Sequence, residues 1–245
     1  MARHLIQGRD VAMPVRVRDA TICTAAYLVR ADAARAVIAY SGMDIAEVLP
    51  GRTVCSLAFV DYVDGDLDTY HEFGVAFMVR PPGSGPVSPK GPIRNLAELR
   101  RSGTGVFVHW LPVDQGFTLE AGRTIWGFPK ELAAIDLRLS SPYKRCIVRK
   151  DDRLVIDLLV RPGVPVTAAG ATFALDAYSH LDGVTRHIPW TASPRGIRVR
   201  PGGALVRLGN HPVARELSEL GLPKRAVMTA TCSRTAMSFG EAKEL

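Results

Sequence analysis

The sequence predicts a mainly β protein with a few short helices, whose antiparallel strands close into a barrel or cone around a cavity. Apolar and polar residues alternate with a period of two along many short segments. Turn residues such as Asp64-Gly65-Asp66 and Asp182-Gly183 separate these segments, and helical spacing is confined to short stretches. Because closure removes the unpaired edges of an antiparallel sheet, a closed sheet is the architecture that we expect.

The elements of the first half follow from local composition. Residues 1–20 are polar and rich in arginine, which predicts an N-terminal surface arm or an edge segment. Asp32 opens a helical pattern that Ser41-Gly42 ends, and Gly127 ends a second one. Pro, Gly and Ser residues predict a loop over 81–92. We predict strands over 21–30, 53–63, 70–79 and 105–113, and helices over 32–40, 96–101 and 118–125.

Apolar and polar residues alternate more clearly in the second half of the chain. Two strands flank the turn at Asp151-Asp152 and predict a hairpin, and another pair flanks Asp182-Gly183. A helix begins near Pro212 and ends before Gly221, in line with the positional preferences of proline and glycine. We predict strands over 135–139, 145–149, 154–160, 171–178, 184–191, 197–200, 204–208 and 226–237, a helix over 212–220, and one domain over 1–245.

The composition predicts a cytoplasmic protein that binds neither nucleic acid nor membrane. Hydrophobic residues make up 47% and charged residues 22%, an ordinary globular balance. The net charge of +7 comes from scattered arginines without a basic run or a nucleic-acid motif, so we expect small anionic substrates instead. No apolar stretch approaches the roughly 20 residues of a membrane span, and no secretory signal is recognisable. The four cysteines are far apart, which predicts reduced thiols.

Motifs of cofactor and metal chemistry are absent from the sequence. It contains no glycine-rich nucleotide loop, no H-E-x-x-H zinc motif and no G-x-S-x-G nucleophile elbow. The six histidines do not cluster at metal-ligand spacing. We therefore expect neither a cofactor nor a metal, and the chemically suggestive pair that is left is Lys130 with Glu72.

Lys130 stands between apolar and turn residues in the segment 122–133. Pro129 fixes its own φ and biases Phe128 towards an extended conformation, so a stiff backbone presents the lysine. Lysines are rare, six among 31 basic residues, and arginine cannot form an imine because it stays protonated. In an apolar site the loss of solvent disfavours the ammonium ion and leaves a nucleophilic amine. A surface or snorkelling lysine is the structural alternative.

Glu72 lies on the strand predicted over 70–79. A period of two places Tyr70, Glu72 and Gly74 on one face of that strand. A carboxylate among apolar neighbours is costly to bury alone, so it either lies at a rim or faces a polar partner in a cavity.

Three other side chains have both a structural and a functional interpretation. Arg18, or its neighbour Arg16, either belongs to the arm or reaches the site and holds a carboxylate through a bidentate pair. His109, within a strand, is either a core or surface group or a proton partner near Lys130. Arg123 either ties down the turn before Lys130 or binds substrate.

The segment Gly122-Arg123…Phe128-Pro129-Lys130 resembles the acetoacetate decarboxylase family, in which a Gly-Arg pair precedes an aromatic-Pro-Lys turn. Residues 70–74, residues 105–114 and the tail from 211 to 233 are similar to the family as well. The resemblance implies a homo-oligomer, a Schiff base on Lys130 and a glutamate, Glu72, that faces it. It also implies a small keto acid as the ligand. The candidate substrate contacts are Arg18, Tyr70, His109, Arg123 and Phe128.

Three positions depart from the family pattern. Glu131 stands where the family has a second lysine. A second glutamate is expected near Cys55, and a carboxylate-binding arginine near Ile22, close to Arg18. If decarboxylation needs a neighbouring cation, Glu131→Lys should raise its rate. An unchanged or lower rate would assign the lysine's reactivity to desolvation.

The leading functional prediction is decarboxylation of a β-keto acid through an imine on Lys130, with Glu72 positioning substrate or shuttling a proton. The first alternative is an aldolase or dehydratase that uses the same imine without losing carbon dioxide. The second is a family member that binds ligands without turnover.

Overall fold

The computed structural model describes residues 2–84, 103–166 and 171–245. The helix predicted over 96–101 and most of the loop predicted over 81–92 lie outside these residues. In chain order the elements are β1 (Arg3–Ile6), β2 (Arg9–Ala12), β3 (Val15–Arg30), α1 (Ala31–Val37), a 3-10 helix (Ala39–Ser41), β4 (Asp44–Ile45), β5 (Arg52–Gly65), β6 (Tyr70–Arg80), β7 (Gly105–Val113), α2 (Gly116–Trp126), β8 (Lys130–Leu132), β9 (Ala134–Arg138), β10 (Lys144–Lys150), β11 (Arg153–Val160), β12 (Val164–Pro165), β13 (Phe173–Leu181), β14 (Val184–Pro201), β15 (Ala204–Leu208), α3 (Pro212–Glu219), β16 (Met228–Phe239) and β17 (Lys243–Glu244).

The large sheet contains a cycle of hydrogen-bonded strand pairs. From β3 it runs through β5, β6, β7, β13, β14 and β16 and returns to β3. The pair β7–β13 is parallel and the others are antiparallel. The short strand β8 adds to the edge of β7 in parallel. The prediction of a mainly β protein with short helices is confirmed, whereas closure into a barrel stays a prediction.

A second sheet of four strands, in the order β15-β11-β10-β9, packs against one face of the large sheet. The core between the two sheets contains large side chains of β5 and β6, such as Leu57, Phe59, Phe73 and Phe77. Because side chains alternate along a strand, the intervening residues of β5 and β6 point to the opposite face of the large sheet. That opposite face lines the cavity described below.

The N-terminal segment is not a surface arm, so this part of the prediction is wrong. Strands β1 and β2 form an antiparallel hairpin, and β3 already begins at Val15. Ile6, Val11 and Val15 are buried in a second apolar cluster, which also contains residues of helix α2. The arginines alternate with these apolar residues, and it is the alternation that makes the segment a set of strands.

Most of the strands and helices predicted from the sequence are present in the structure, and two differences occur after residue 180. The hairpin β10–β11 turns at Asp151 and Asp152, which both adopt positive φ. The strands predicted over 184–191 and 197–200 form one continuous strand, β14. Strand β15 joins the second sheet through β11, because the chain turns sharply at Gly202 and Gly203, both with positive φ. None of the helices in the described parts of the chain is long and apolar enough to cross a membrane.

Candidate active site

Lys130 is buried at the start of β8. Helix α2 ends at Gly127, which has a φ of 62°, and the chain then passes through Phe128 and Pro129 into the strand. Lys130 pairs with Leu111 of β7, and its residue exposure is 4%. The alternative of a surface lysine is therefore excluded by its position.

Glu72 of β6 faces the Lys130 ammonium group. Its Oε2 lies 2.8 Å from Lys130 Nζ, and the hydroxyl of Tyr62 donates a hydrogen bond of 3.0 Å to Oε1. The ring of Tyr70 lies against the lysine, with 5.0 Å from Nζ to the ring centroid, and stacks on Tyr62 at 4.1 Å. Of the two interpretations of Glu72, the structure agrees with a carboxylate that faces a polar partner.

The two tyrosines are held in their neutral form. Burial raises the pKa of the Tyr62 hydroxyl well above its ordinary value, and the Glu72 carboxylate raises it further. Burial and Glu72 also raise the pKa of Tyr70. Tyr62 is thus a permanent hydrogen-bond donor to Glu72 over the ordinary working range of pH.

Lys130 and Glu72 open into a cavity of about 320 Å³. Among the described residues that line it, these two carry the charges, and most of the others are aliphatic or aromatic. The indole Nε1 of Trp190, another lining residue, is buried without a hydrogen-bond partner in the described structure. The site therefore combines one amine, one carboxylate and an apolar enclosure, a setting in which electrostatic interactions are strong.

Two of the five predicted substrate contacts, Tyr70 and Phe128, line the cavity. Arg18 does not reach it: its guanidinium is half exposed and pairs with Asp64 and Asp66, each at 2.7 Å. The prediction that Arg18 binds substrate is therefore not supported, because two nearby carboxylates already hold this side chain on the surface.

His109 and Arg123 are also placed away from the cavity. Val108 lines the cavity, so its neighbour His109 points to the other face, where it contacts Tyr40 at 2.9 Å and Glu216 at 2.8 Å. Arg123 is exposed and donates a 3.4 Å hydrogen bond to the Lys130 carbonyl. The structural interpretation holds for both residues.

The three positions that depart from the family pattern lie in different environments in the structure. The carboxylate of Glu131 accepts hydrogen bonds from the Trp110 indole and the Lys150 ammonium, on the side of β8 opposite to the Lys130 side chain. Ile22 lines the cavity, whereas Cys55 is buried in the core between the sheets. A side chain at 131 therefore does not face the candidate nucleophile.

Tyr62 and the two tryptophans Trp126 and Trp190 line the site but were missed by sequence reasoning. One signal for Tyr62 was available. Strands β5 and β6 are joined by a short turn, and the register pairs Tyr62 with Tyr70 and Val60 with Glu72. In the described parts of the chain no group of His, Cys, Asp and Glu side chains is placed to hold a metal ion.

Comparison with known families finds a match over almost the whole chain. The family model for acetoacetate decarboxylase (ADC) matches residues 6–244. The chain belongs to the acetoacetate decarboxylase family. Comparison with curated proteins finds no match.

Solved structures share the fold with this chain at low sequence identity. The acetoacetate decarboxylase from Legionella pneumophila is 20% identical, with a TM-score of 0.68 over 96% of this chain and 88% of that one. An acetoacetate decarboxylase-like enzyme from Sphingomonas wittichii RW1 is 14% identical, with a TM-score of 0.61 over 100% and 99%. The enduracididine biosynthesis enzyme MppR, complexed with the condensation product of pyruvate and imidazole 4-carboxaldehyde, is 12% identical, with a TM-score of 0.58 over 96% and 90%.

Proposed function

We propose that the protein is an imine-forming carbon–carbon lyase, in which Lys130 condenses with the ketone of a β-keto acid and carbon dioxide is released. The observation that carries the proposal is the buried pair of Lys130 and Glu72, 2.8 Å apart at an apolar cavity. A buried ion pair is costly compared with apolar packing, so it is weak evidence for stability and points to chemistry.

Each group has a defined task in this reaction. Glu72 accepts a proton from the Lys130 ammonium, and the neutral amine attacks the carbonyl carbon. The carbonyl oxygen leaves as water and a cationic imine remains. The bond to the substrate carboxylate then breaks, its electron pair forms the double bond of an enamine, and carbon dioxide departs. The proton taken from Lys130 has left with that water, so Glu72, which accepts a hydrogen bond from Tyr62, takes up a second proton from solvent and delivers it to the enamine carbon; water then releases the ketone from Lys130.

The apolar lining supports decarboxylation as the first candidate. An anionic carboxylate is poorly solvated in such a cavity, whereas carbon dioxide and the enamine are neutral. Loss of carbon dioxide therefore moves the system towards the species that the cavity favours.

An aldolase or dehydratase reaction through the same imine is the second candidate. Two observations favour it. No arginine, histidine or second lysine is among the described residues that line the cavity, so a substrate carboxylate finds no cationic partner there other than Lys130. The fold is also that of MppR, a protein observed with a condensation product of pyruvate and an aldehyde.

We further propose that the cycle of strand pairs closes as a barrel, that residues 1–245 form one domain, and that the protein is a homo-oligomer. The cycle of strand pairs, antiparallel except for β7–β13, supports the first point, and the family match over 6–244 supports the second. The assembly rests on the family resemblance, and light scattering after gel filtration measures it directly.

Borohydride trapping tests the proposed chemistry. The protein is mixed with acetoacetate or pyruvate and borohydride, and mass spectrometry locates the reduced adduct. An adduct at Lys130 with released carbon dioxide supports the decarboxylase. An adduct with carbon–carbon bond formation to an added aldehyde supports the aldolase. Thermal stabilisation by keto acids without any adduct means ligand binding without turnover. Lys130→Met, which keeps the length and removes the amine, is the matched control.

A further inference from the structure

One strip of the cavity wall is built from unusually small side chains. Ser56 and Ala58 of β5 lie directly opposite Ala76 and Gly74 of β6, and all four line the cavity. The alternate residues of the same two strands, which face the core between the sheets, are large apolar side chains such as Leu57, Phe59, Phe73, Val75 and Phe77. The strip therefore makes room on one face of a sheet whose other face is filled.

The strip begins at the candidate nucleophile and leads away from it. Glu72, Gly74 and Ala76 are successive cavity-facing residues of β6. At about 3.3 Å per residue, Glu72 and Ala76 lie about 13 Å apart along the strand. An extended chain advances about 3.8 Å for every three bonds, so this length accommodates roughly ten bonds. A short keto acid such as acetoacetate would leave most of this length empty.

The walls beside the strip are uncharged and mostly apolar. On β3, Thr24 pairs with Ala58 of the strip, and Ile22 lies nearer to the Glu72 end. On β7, Val108 pairs with Ala76, and Val106 continues the wall beyond it. Apart from Glu72 and Lys130, the described residues of the lining carry no charge. Burying a methylene group here is favourable, whereas an ionic substituent would lose its hydration.

We propose that the substrate of Lys130 is a ketone or β-keto acid whose second substituent is an extended apolar chain of roughly ten bonds, and that the small-residue strip of Ser56, Ala58, Gly74 and Ala76 receives this chain. The proposal rests on the proposed imine function, because the carbonyl must lie at Lys130. It adds the class of substrate, which distinguishes this protein from an enzyme for acetoacetate itself.

A homologous series of ketones tests the strip. Butanone, 2-hexanone, 2-octanone and 2-decanone are each trapped on Lys130 with borohydride, and the half-saturating concentration is measured. Each added methylene should lower that concentration about threefold to fourfold until the strip is full. If adducts form but the half-saturating concentration does not depend on chain length, the proposal that the strip receives an apolar chain is contradicted, while the imine function is still supported.

Filling the strip gives a second, independent measurement. Ala76→Leu should raise the half-saturating concentration of 2-octanone about tenfold or more, since several buried methylenes are displaced, and leave that of butanone within about twofold. Gly74→Ala is the milder variant, because its new Cβ would meet only Leu111 Cδ1 at 3.4 Å. The matched control is Ala134→Leu on the exposed face of β9. Equal effects of Ala76→Leu on both ketones would contradict the proposal.

Alcohols separate this proposal from the imine chemistry, because they cannot condense with an amine. Thermal stabilisation by 2-butanol and 2-octanol is compared in the wild type. Suppose that no ketone gives an adduct but 2-octanol stabilises the protein at a much lower concentration than 2-butanol. This result would support binding of an apolar chain in the strip and contradict the proposed imine function. If the two alcohols act alike and no ketone shows a preference, the strip is overturned.

Discussion

Gly122 of helix α2 lies directly against the stem of Lys130. A Cβ at position 122 would lie 2.5 Å from Lys130 Cδ and 2.6 Å from Cε, closer than real carbon atoms approach. The next residue, Arg123, donates a hydrogen bond to the Lys130 carbonyl. The Gly-Arg pair therefore has two structural tasks: the glycine leaves space for the lysine stem, and the arginine holds the lysine backbone.

We expect Gly122→Ala to displace the Lys130 amine from Glu72. A shift of about 1 Å at a reacting group can cost about a hundredfold in rate, so borohydride trapping should slow by roughly that factor. Alanine is favoured over glycine inside a helix by about 1 kcal/mol, which opposes any loss of stability. The measurement is the trapping rate together with the unfolding midpoint in urea.

Gly116→Ala in the same helix is the matched control. A Cβ at Gly116 would meet nothing within 4 Å, so the trapping rate should stay at the wild-type value. Equal trapping rates in the two variants would show that the lysine stem adapts easily and that Gly122 has no positioning role.

The Lys130–Glu72 pair should follow the energetics of a buried ion pair. Glu72→Leu leaves the ammonium group buried without its partner and should lower the free energy of unfolding by about 3–5 kcal/mol. The double variant Glu72→Leu, Lys130→Met removes both charges and should recover most of that loss, because an apolar pair of similar volume packs in their place. Urea unfolding of the two single variants and the double variant measures the coupling. Additive effects would mean that the two side chains do not interact.

Tyr62→Phe should separate imine formation from delivery of a proton to the enamine carbon. Tyr62 donates a hydrogen bond to Glu72 Oε1, and loss of a group that supports acid–base catalysis costs about a hundredfold or more in the proton-transfer step. Trapping of the imine should change little, whereas deuterium incorporation into the product should slow strongly.

The pH profile provides the control for this role. Burial raises the pKa of Tyr62, so the wild-type rate should not fall as the pH approaches about 10, the ordinary value for tyrosine. A fall near that pH that disappears in Tyr62→Phe would mean that the hydroxyl ionises and is exposed to solvent.

The sequence predicted the class of the fold, and alternation along 70–79 put Tyr70 and Glu72 on one face of a strand. The residues around Lys130 left a surface and a buried lysine open; the resemblance favoured the buried one facing Glu72, and the structure places the two side chains in contact. Arg18 was misplaced because local sequence does not reveal that Asp64 and Asp66 lie beside it across the β3–β5 ladder.

Long-range register explains the other misses. His109 and Val108 differ by one residue, and which of them faces the cavity depends on how β7 pairs with β6 and β13. The pairing includes a register shift between Val75 and Ala76, which no local pattern predicts. The strip of small residues that leads away from Lys130 likewise exists because β5 and β6 bring small residues into direct pairs.

Glu131→Lys should not raise the reaction rate. Glu131 accepts hydrogen bonds from Trp110 and Lys150 and points away from Lys130, so a lysine there would face Lys150 instead of the substrate. We expect lower stability from the like charges and an unchanged or lower trapping rate. Glu131→Gln, which removes the charge and keeps the shape, is the control. A faster decarboxylation in Glu131→Lys would show that a cation on this side of β8 does influence the nucleophile.

The second sheet should supply an acid-sensitive part of the stability. Hydrogen bonds of 2.8 and 2.7 Å from Arg145 hold the pKa of Asp157 below its ordinary value, and Arg207 adds its charge at 3.4 Å. Because the folded pKa is the lower one, this contribution is fully present above the unfolded value of about 3.9 and is lost as the pH falls through the folded value. At pH 7 we expect Asp157→Asn to cost about 2 kcal/mol, in line with hydrogen bonds to a charged group.

The difference in unfolding free energy between wild type and Asp157→Asn should therefore be constant from about pH 7 to pH 5 and shrink below about pH 4. Urea unfolding at a series of pH values measures it. Asp136→Asn on strand β9 is the control, since this carboxylate is half exposed and its pair with Arg138 contributes little. A difference that grows as the pH falls would have the wrong sign for a carboxylate with a lowered pKa. The link between the Arg145 pair and the stability of the second sheet would then have to be abandoned.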